Sequence, residues 1–353
     1  MHTLHDLTVS SVEKNTPETV VVTLSAPKAL KDEFAYRQGQ HLTLRTTIGG
    51  EDLRRSYSIC SSVADQTLRV AIRKVDGGRF STFANDELQA GDTLGVLAPA
   101  GHFYVELDPA SERTYVAFAA GSGITPLMSI IKTTLETEPR ARFMLFYGNR
   151  SKRSTIFLDE IAQLKNRFMD RFSYWHFLSQ EDIDIEFFNG RMDGDKIEGI
   201  LDRIVDPSHI DHAFVCGPEA MIDTVVDILA DRGVAKEAIH FEKFLSEGQA
   251  PVAPKRHKDL SGLAAVTLVI NGEESTLKID KDVAILDSAI DQGLDVPFAC
   301  KGGVCCTCRA KVLKGDVAMV LNQGLEPDEV AAGYVLTCQS FAVSDTVVLS
   351  YDE

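Results

Sequence analysis

Four of the seven cysteines fall within the nine positions from 300 to 308, in the stretch ACKGGVCCTC. Cys300, Cys305 and Cys308 form C-x4-C-x2-C, and Cys338 follows after 29 intervening residues. So dense a set of thiols predicts a loop wrapped around a bound group rather than a regular helix or strand. Two irons bridged by two sulfides need four thiolates, three from one tight loop and a fourth from elsewhere. This spacing is that of a plant-type [2Fe–2S] site. Gly302 and Gly303 let the backbone bend through unusual dihedrals, so that N–H groups approach the sulfurs and offset their charge. Zinc is the alternative, but it favours repeated Cys-x2-Cys knuckles or Cys/His mixtures, and only one such pair is present. Cys300, Cys305, Cys308 and Cys338 are therefore the expected metal ligands. Cys306 is out of register and reads as a small side chain beside the cluster, and Cys60 as a buried hydrophobe.

A one-electron centre implies a source and a sink for electrons elsewhere. At 353 residues the chain is long enough for two or three domains. An odd cysteine count without an export signal argues against a disulfide framework and for the cytoplasm. The opening MHTLHDLTVSSVEKN lacks the apolar core of a signal peptide. The most apolar stretch, YVAFAAGSGITPLMSII, is broken by Gly, Ser, Thr and Pro, which excludes a membrane span. A net charge of −16 argues against nucleic acid as a partner. Residues 263–353 hold 6 basic against 14 acidic side chains, half of that net charge in about a quarter of the chain. Either this is a well-solvated small domain, or its acidic face steers toward a basic partner.

The stretch SEGQAPVAPKRHKDLSG, residues 246–262, reads as a linker, with two prolines and no apolar periodicity. Seventeen flexible residues reach roughly 20–25 Å, so the last domain is expected to swing between two docking positions. Ahead of it, residues 1–107 show short β-rich runs (TVVVTLSAP, QHLTLRTTI, RRSYSIC, TLRVAIRKV), the pattern of an antiparallel barrel. Residues 108–245 alternate strand-like TYVAFAA, RFMLFYG, FSYWHFLS and HAFVCG with helical runs, which predicts a parallel sheet covered by helices. After the linker, residues 263–353 open on AAVTLVING, the first arm of a hairpin.

In RRSYSIC, Arg55, Tyr57 and Ser58 form R-x-Y-S on a predicted strand, where alternate positions share a face. An arginine there can bind a pyrophosphate bidentately, a tyrosine can lie against a planar ring and a hydroxyl can reach a ring nitrogen. Alone, the motif also describes an exposed strand carrying a tyrosine. It is followed by RKVDGGRFSTF, a glycine-containing turn whose Ser81 and Thr82 suit a phosphate. In AAGSGITPLMSII, Gly121 and Gly123 follow a strand and Pro126 opens a helix, whose N-terminus attracts phosphate. The same residues also suit an ordinary strand–turn–helix joint. After RFMLFYG comes Asn149-Arg150-Ser151-Lys152-Arg153, with no acid before Asp159. Arg150, Ser151 and Arg153 favour a 2′-phosphate and hence NADPH over NADH, the bland reading being a solvated basic turn. His209 and His212 (HIDH) lack further metal ligands nearby and read as surface or strand-end histidines.

The succession YRQGQHLTL, RRSYSIC, RKVDGGRFSTF and GDTLGVLAPAGHF resembles the flavin domain of the ferredoxin–NADP reductase family. AAGSGITP and VCGPEAM resemble that family's two nucleotide turns, and residues 263–353 resemble a plant-type ferredoxin of β-grasp fold. The resemblance implies that Arg55, Ser56, Tyr57 and Ser58 hold FAD, that Ile72 and Arg73 line it, and that Gly78, Phe80, Ser81 and Thr82 cradle its pyrophosphate. It places Gly121, Gly123, Thr125, Pro126, Gly217 and Pro218 around the nicotinamide nucleotide, with Thr125 and Cys216 beside the nicotinamide. Phe241 and Glu242, in HFEKF, are placed against the flavin. Ser58, Thr125 and Cys216 are thus the implied catalytic residues. One departure is Gln38-Gly39-Gln40, where the family has Pro-Gly-Gln. The module order resembles the reductase components of multicomponent bacterial oxygenases. The stretches YGNR, CGPEAM, ACKGGVCCTC and LEPDEVAAGYVLTCQ narrow the likeness to reductases of phenylacetyl-CoA epoxidases, with steroid-hydroxylase reductases next. The implied activity is electron transfer from NADPH through FAD and [2Fe–2S] to a di-iron, multisubunit oxygenase. A stand-alone diaphorase and a redox sensor are the alternatives.

Overall fold

The computed structural model describes residues 3–244 and 260–353. All but the last three residues of the expected linker, and with them the expected swing, lie outside the described residues. The first sheet comprises β1 (His5–Thr16), β2 (Thr19–Ser25), β3 (His41–Ile48), β4 (Glu51–Ser58), β5 (Leu68–Arg73) and β6 (Thr93–Val96). It is antiparallel, in the order β4-β3-β6-β1-β2-β5, and an Ile59–Val70 bridge draws its two edges together as a barrel requires. Its core holds Leu7, Val9, Val22, Leu42, Leu44, Val70 and Ile72, taken from alternate strand positions. The segment read as a glycine turn before Ser81 continues into a helix, α1 (Arg79–Asp86). Gly77, at φ +73°, makes the turn, and the helix begins directly after Gly78. Ser81 and Thr82 therefore sit in a helical first turn rather than in an open loop.

The second sheet is parallel, in the order β11-β10-β7-β8-β9. Its strands are β7 (Thr114–Ala120), β8 (Arg142–Asn149), β9 (Phe172–Leu178), β10 (His212–Gly217) and β11 (Ile239–Lys243). Helices α2 (Ile124–Thr137), α3 (Leu158–Arg167), α4 (Gly194–Arg203) and α5 (Glu219–Asp231) connect them. β7 lies in the centre and is buried along nearly its whole length, as expected of a strand covered on both faces. The chain runs outward from β7 in both directions, so the turns after β7 and β10 flank a topological switch point, where such sheets bind ligands. α4 escaped the sequence reading; its apolar positions Ile197, Ile200 and Leu201 are few and lie among charges.

The third sheet is mixed, in the order β13-β12-β18-β14-β16. Its strands are β12 (Leu263–Ile270), β13 (Glu273–Asp280), β14 (Arg309–Lys314), β16 (Tyr334–Leu336) and β18 (Thr346–Ser350). β12 and β13 form the expected hairpin, and β12 runs parallel to β18. β15 (Val317–Met319) and β17 (Ser340–Ala342) pair separately, and α6 (Ile285–Asp291) and α7 (Pro327–Ala331) complete the unit. No helix among the described residues is long and apolar enough to cross a membrane.

The Gln38-Gly39-Gln40 departure has a structural reason. Gly39 takes φ +83°, and a Cβ there would lie 2.0 Å from the Phe103 carbonyl oxygen. Gln38 is buried and donates from Nε2 to the Val105 carbonyl at 2.7 Å. A side-chain hydrogen bond thus ties down the loop that proline stiffens elsewhere.

Candidate functional site

A cleft of about 1250 Å³ opens where the three sheets meet. The barrel contributes Arg55, Ser56, Tyr57 and Ser58 from β4 and Arg73 from the end of β5. The parallel sheet contributes Ser122 and Thr125 from the turn after β7, Arg150 from the turn after β8, and Glu242, Lys243 and Phe244 at the end of β11. The cysteine loop closes the cleft with Cys300, Lys301, Val304 and Cys305.

Within it the Tyr57 ring packs on buried Phe80, centroids 5.6 Å apart, so α1 sets the tyrosine's tilt. Ser58 Oγ donates to Glu242 Oε2 at 3.4 Å, joining barrel to parallel sheet. Burial pushes the Glu242 carboxyl up to about 8, the serine bond opposing the shift. Thr125 Oγ1 donates to the Ser122 carbonyl at 3.0 Å, fixing its side chain at the start of α2. Arg73 pairs with Glu18 at 3.3 Å.

Other expected residues stand behind this lining. Ile72, Phe80 and Ser81 are buried beneath it, and Ser81 Oγ accepts from the Val75 N–H at 3.2 Å. Gly78 precedes α1, and Thr82 donates its N–H to the Gly78 carbonyl. Gly121 takes φ +54°. A Cβ on Gly123 would lie 2.0 Å from the Cys216 carbonyl oxygen, so the turn after β7 presses directly on the end of β10. Pro126 is buried in the first turn of α2, where a missing N–H breaks no helical bond. Cys216 is fully buried, and burial, with Glu242 nearby, raises its thiol well above the ordinary range. Gly217 and Pro218 follow it into α5. Ser151 and Arg153 flank Arg150 outside the cleft, with Ser151 Oγ 3.3 Å from Ser154 Oγ. Phe241 is 46% exposed and outside the cleft lining, which Phe244 joins instead. The sequence reading missed Lys243, Phe244 and Lys301. It also missed Glu181, whose carboxylate accepts the Lys152 N–H at 2.8 Å. Nothing local distinguishes Lys243, Lys301 and Glu181 from solvated charges, or Phe244 from an ordinary strand-end aromatic.

The cysteines associate two by two. Cys300 and Cys305 interact as one pair, and Cys308 and Cys338 as another. One thiol of each pair, Cys300 and Cys308, is held below the ordinary range chiefly by its partner's hydrogen bond. The other, Cys305 and Cys338, is pushed up by sharing that proton and by burial. Cations must offset the second deprotonation. Among the described residues no three His, Cys, Asp or Glu side chains converge on one ion position. Two pairs suit two irons better than one zinc. The Gly302 N–H lies 3.3 Å from Cys300 Sγ, and those of Val304 and Cys305 also reach it, as the glycine argument requires. Of the two glycines only Gly303 is left-handed, at φ +76°; Lys301 and Cys306 share that region at +52° and +55°. Cys306 Sγ donates to the Val304 carbonyl at 3.8 Å, with Cys308 and Cys300 near enough to add to the burial that raises its thiol, and Cys60 is buried.

Comparison with known proteins agrees with this architecture. Residues 6–104 match the oxidoreductase FAD-binding domain model, 118–227 the oxidoreductase NAD-binding domain, and 268–343 the 2Fe-2S iron-sulfur cluster binding domain. The chain is 42% identical over its full length to a subunit of 1,2-phenylacetyl-CoA epoxidase from Escherichia coli (strain K12), covering 99% of that protein. It is 34% identical to the ferredoxin reductase component of 3-ketosteroid-9-alpha-monooxygenase of Rhodococcus rhodochrous, over 98% of this chain and 96% of that one. The structure of phthalate dioxygenase reductase aligns over 98% of both chains with a TM-score of 0.59 at 22% identity, a likeness of fold. The full-length 42% identity, with this order of modules, identifies the chain as a member of the family that includes this component of phenylacetyl-CoA epoxidase, an NAD(P)H-dependent oxidoreductase carrying FAD and a [2Fe–2S] cluster that serves as the reductase component of a multicomponent oxygenase.

Proposed function

We propose that the chain uses NADPH and delivers electrons to a di-iron oxygenase that epoxidises a CoA-bound aromatic ring, phenylacetyl-CoA. The observation carrying this reading is the 42% identity to the epoxidase component along the whole chain, higher than the 34% to the steroid-monooxygenase reductase. Bound FAD would supply the conversion of a two-electron donor into single electrons, and the cluster their one-at-a-time carriage. The residues position these groups. Arg55 and the N–H groups at the start of α1, around Gly78, Ser81 and Thr82, would hold the pyrophosphate. Tyr57, packed on Phe80, would lie against the planar ring, with Ile72 and Arg73 lining it. Ser58 offers its hydroxyl to a ring nitrogen, and Ser56 lines the same strand. Thr125 and Cys216 orient the nicotinamide, while Gly121, Gly123, Pro126, Gly217 and Pro218 admit the dinucleotide backbone closely. Arg150, which lines the cleft, would bind the 2′-phosphate with Ser151 and Arg153 of the same turn beside it, and Cys300, Cys305, Cys308 and Cys338 would hold the irons.

With the epoxidase's oxygenase component added, the protein should support NADPH-dependent consumption of phenylacetyl-CoA, NADH serving less well. Efficient coupling to a steroid oxygenase and none to the epoxidase would refute the partner assignment. Equal efficiency with NADH would refute the cofactor assignment.

A further inference from the structure

Arg54 adjoins the R-x-Y-S motif without belonging to it. β4 alternates its faces, so Arg54 stands opposite in pleat to Arg55 and Tyr57. Its side chain is only 5% exposed. What covers it is the ferredoxin unit. Nη1 donates to the Val296 carbonyl at 3.2 Å, Nη2 to Asp295 Oδ1 at 2.9 Å, and the guanidinium lies 4.3 Å from the Phe298 ring centroid. Its own sheet offers it Asp52 at 3.4 Å, and Nε has no partner among the described residues.

Burying a guanidinium costs more than an exposed carboxylate such as Asp295, 71% accessible, returns. Arg54 is thus stable in this position only while residues 295–298 lie over it, with the carbonyl bond and the ring contact supplying the balance. The same boundary carries the cysteine loop. Thr43 Oγ1 of β3 is 3.4 Å from Thr307 Oγ1, which accepts from Cys305 Sγ at 3.2 Å. A polar boundary with a charged group at its centre resembles a transient protein interface, not a continuous core.

We propose that Arg54 is the latch that holds the cluster-bearing domain against the flavin barrel, with Cys300 and Cys305 turned to the cleft. It is a positioning residue for internal electron transfer, because donor and acceptor exchange electrons only when held close. The proposal rests on reading the cleft as the flavin site, and the test separates the two.

Full-length holoprotein with wild-type flavin and iron content is mixed rapidly with NADPH, following flavin and cluster bleaching separately. Arg54→Ala and Asp295→Arg are compared with wild type, the second change lying on an exposed position of the other domain; both residues also line the cleft, so flavin content and flavin reduction are measured alongside. Hydrogen exchange over residues 294–299 and the radius of gyration in solution report docking directly. Both variants should reduce flavin within about twofold of wild type, reduce the cluster about tenfold or more slowly, and exchange faster over that segment. Wild-type cluster reduction with wild-type exchange in either variant overturns the latch. So does a loss of flavin reduction as large as the loss of cluster reduction. Wild-type protein that bleaches its flavin but never its cluster overturns the cleft reading and the latch with it.

Discussion

Ser58 and Glu242, 184 residues apart in the chain, meet at 3.4 Å across the boundary between the barrel and the parallel sheet. The carboxyl is raised to about 8 by burial. The folded chain therefore keeps this proton over a pH range in which the unfolded chain has released it. Its contribution to stability is complete below the ordinary carboxyl range and is lost as pH rises through about 8. Glu242→Gln, neutral at every pH, should remove this dependence. Melting temperatures of the two proteins from mildly acidic to mildly alkaline buffer should diverge, with wild type falling relative to the variant. Parallel curves would count against a buried, neutral Glu242.

Gly123 has an ordinary helical φ of −59°, so its requirement is space rather than backbone freedom. An added methyl meets the Cys216 backbone at 2.0 Å, where no flexible side chain can yield. Gly123→Ala should cost about 1–3 kcal/mol in denaturant unfolding. It should also weaken nicotinamide-nucleotide binding by prising the two turns apart, readable by titration. Wild-type stability would mean that the turn after β7 relaxes freely.

Cys306 belongs to neither thiol pair. Cys306→Ser should retain two irons and two acid-labile sulfides per chain, in the stoichiometry of the cluster. Serine replacement of Cys300, Cys305, Cys308 or Cys338 should lower both together. Loss of iron from the Cys306 variant alone would redraw the ligand set.

Arg150 lines the cleft, while Arg153 stands exposed beside it. Loss of a charge-assisted hydrogen bond to the 2′-phosphate costs about 1.5–3 kcal/mol, tenfold or more in affinity. Arg150→Ala should therefore raise KM for NADPH about tenfold, leaving KM for NADH within about twofold. An equal rise for both nucleotides would assign the arginine to the shared pyrophosphate instead.

The cysteine spacing, the alternation of β4 and the glycine turn after β7 were legible because their chemistry is local; the turn after β10 was read through resemblance to a family motif. Each places several functional groups within ten residues, where chain geometry alone limits how they can lie. The same locality revealed the first two sheets, through periodicity and runs of apolar residues, and the hairpin that opens the third, whose β-grasp fold was implied by resemblance. The two-by-two association of the thiols was not legible, since Cys338 reaches Cys308 only through the pairing of β14 with β16. Nor was the helix at Ser81, whose short amphipathic run follows two glycines that read as a turn. The R-x-Y-S motif singles out Arg55, but nothing in the sequence marks Arg54. Packing against a domain 241 residues away along the chain buries Arg54, although both arginines line the cleft. Local spacing thus determined which groups the chain can hold. Tertiary structure decided which charges lose water and which domains touch, because burial and proximity depend on segments remote in sequence.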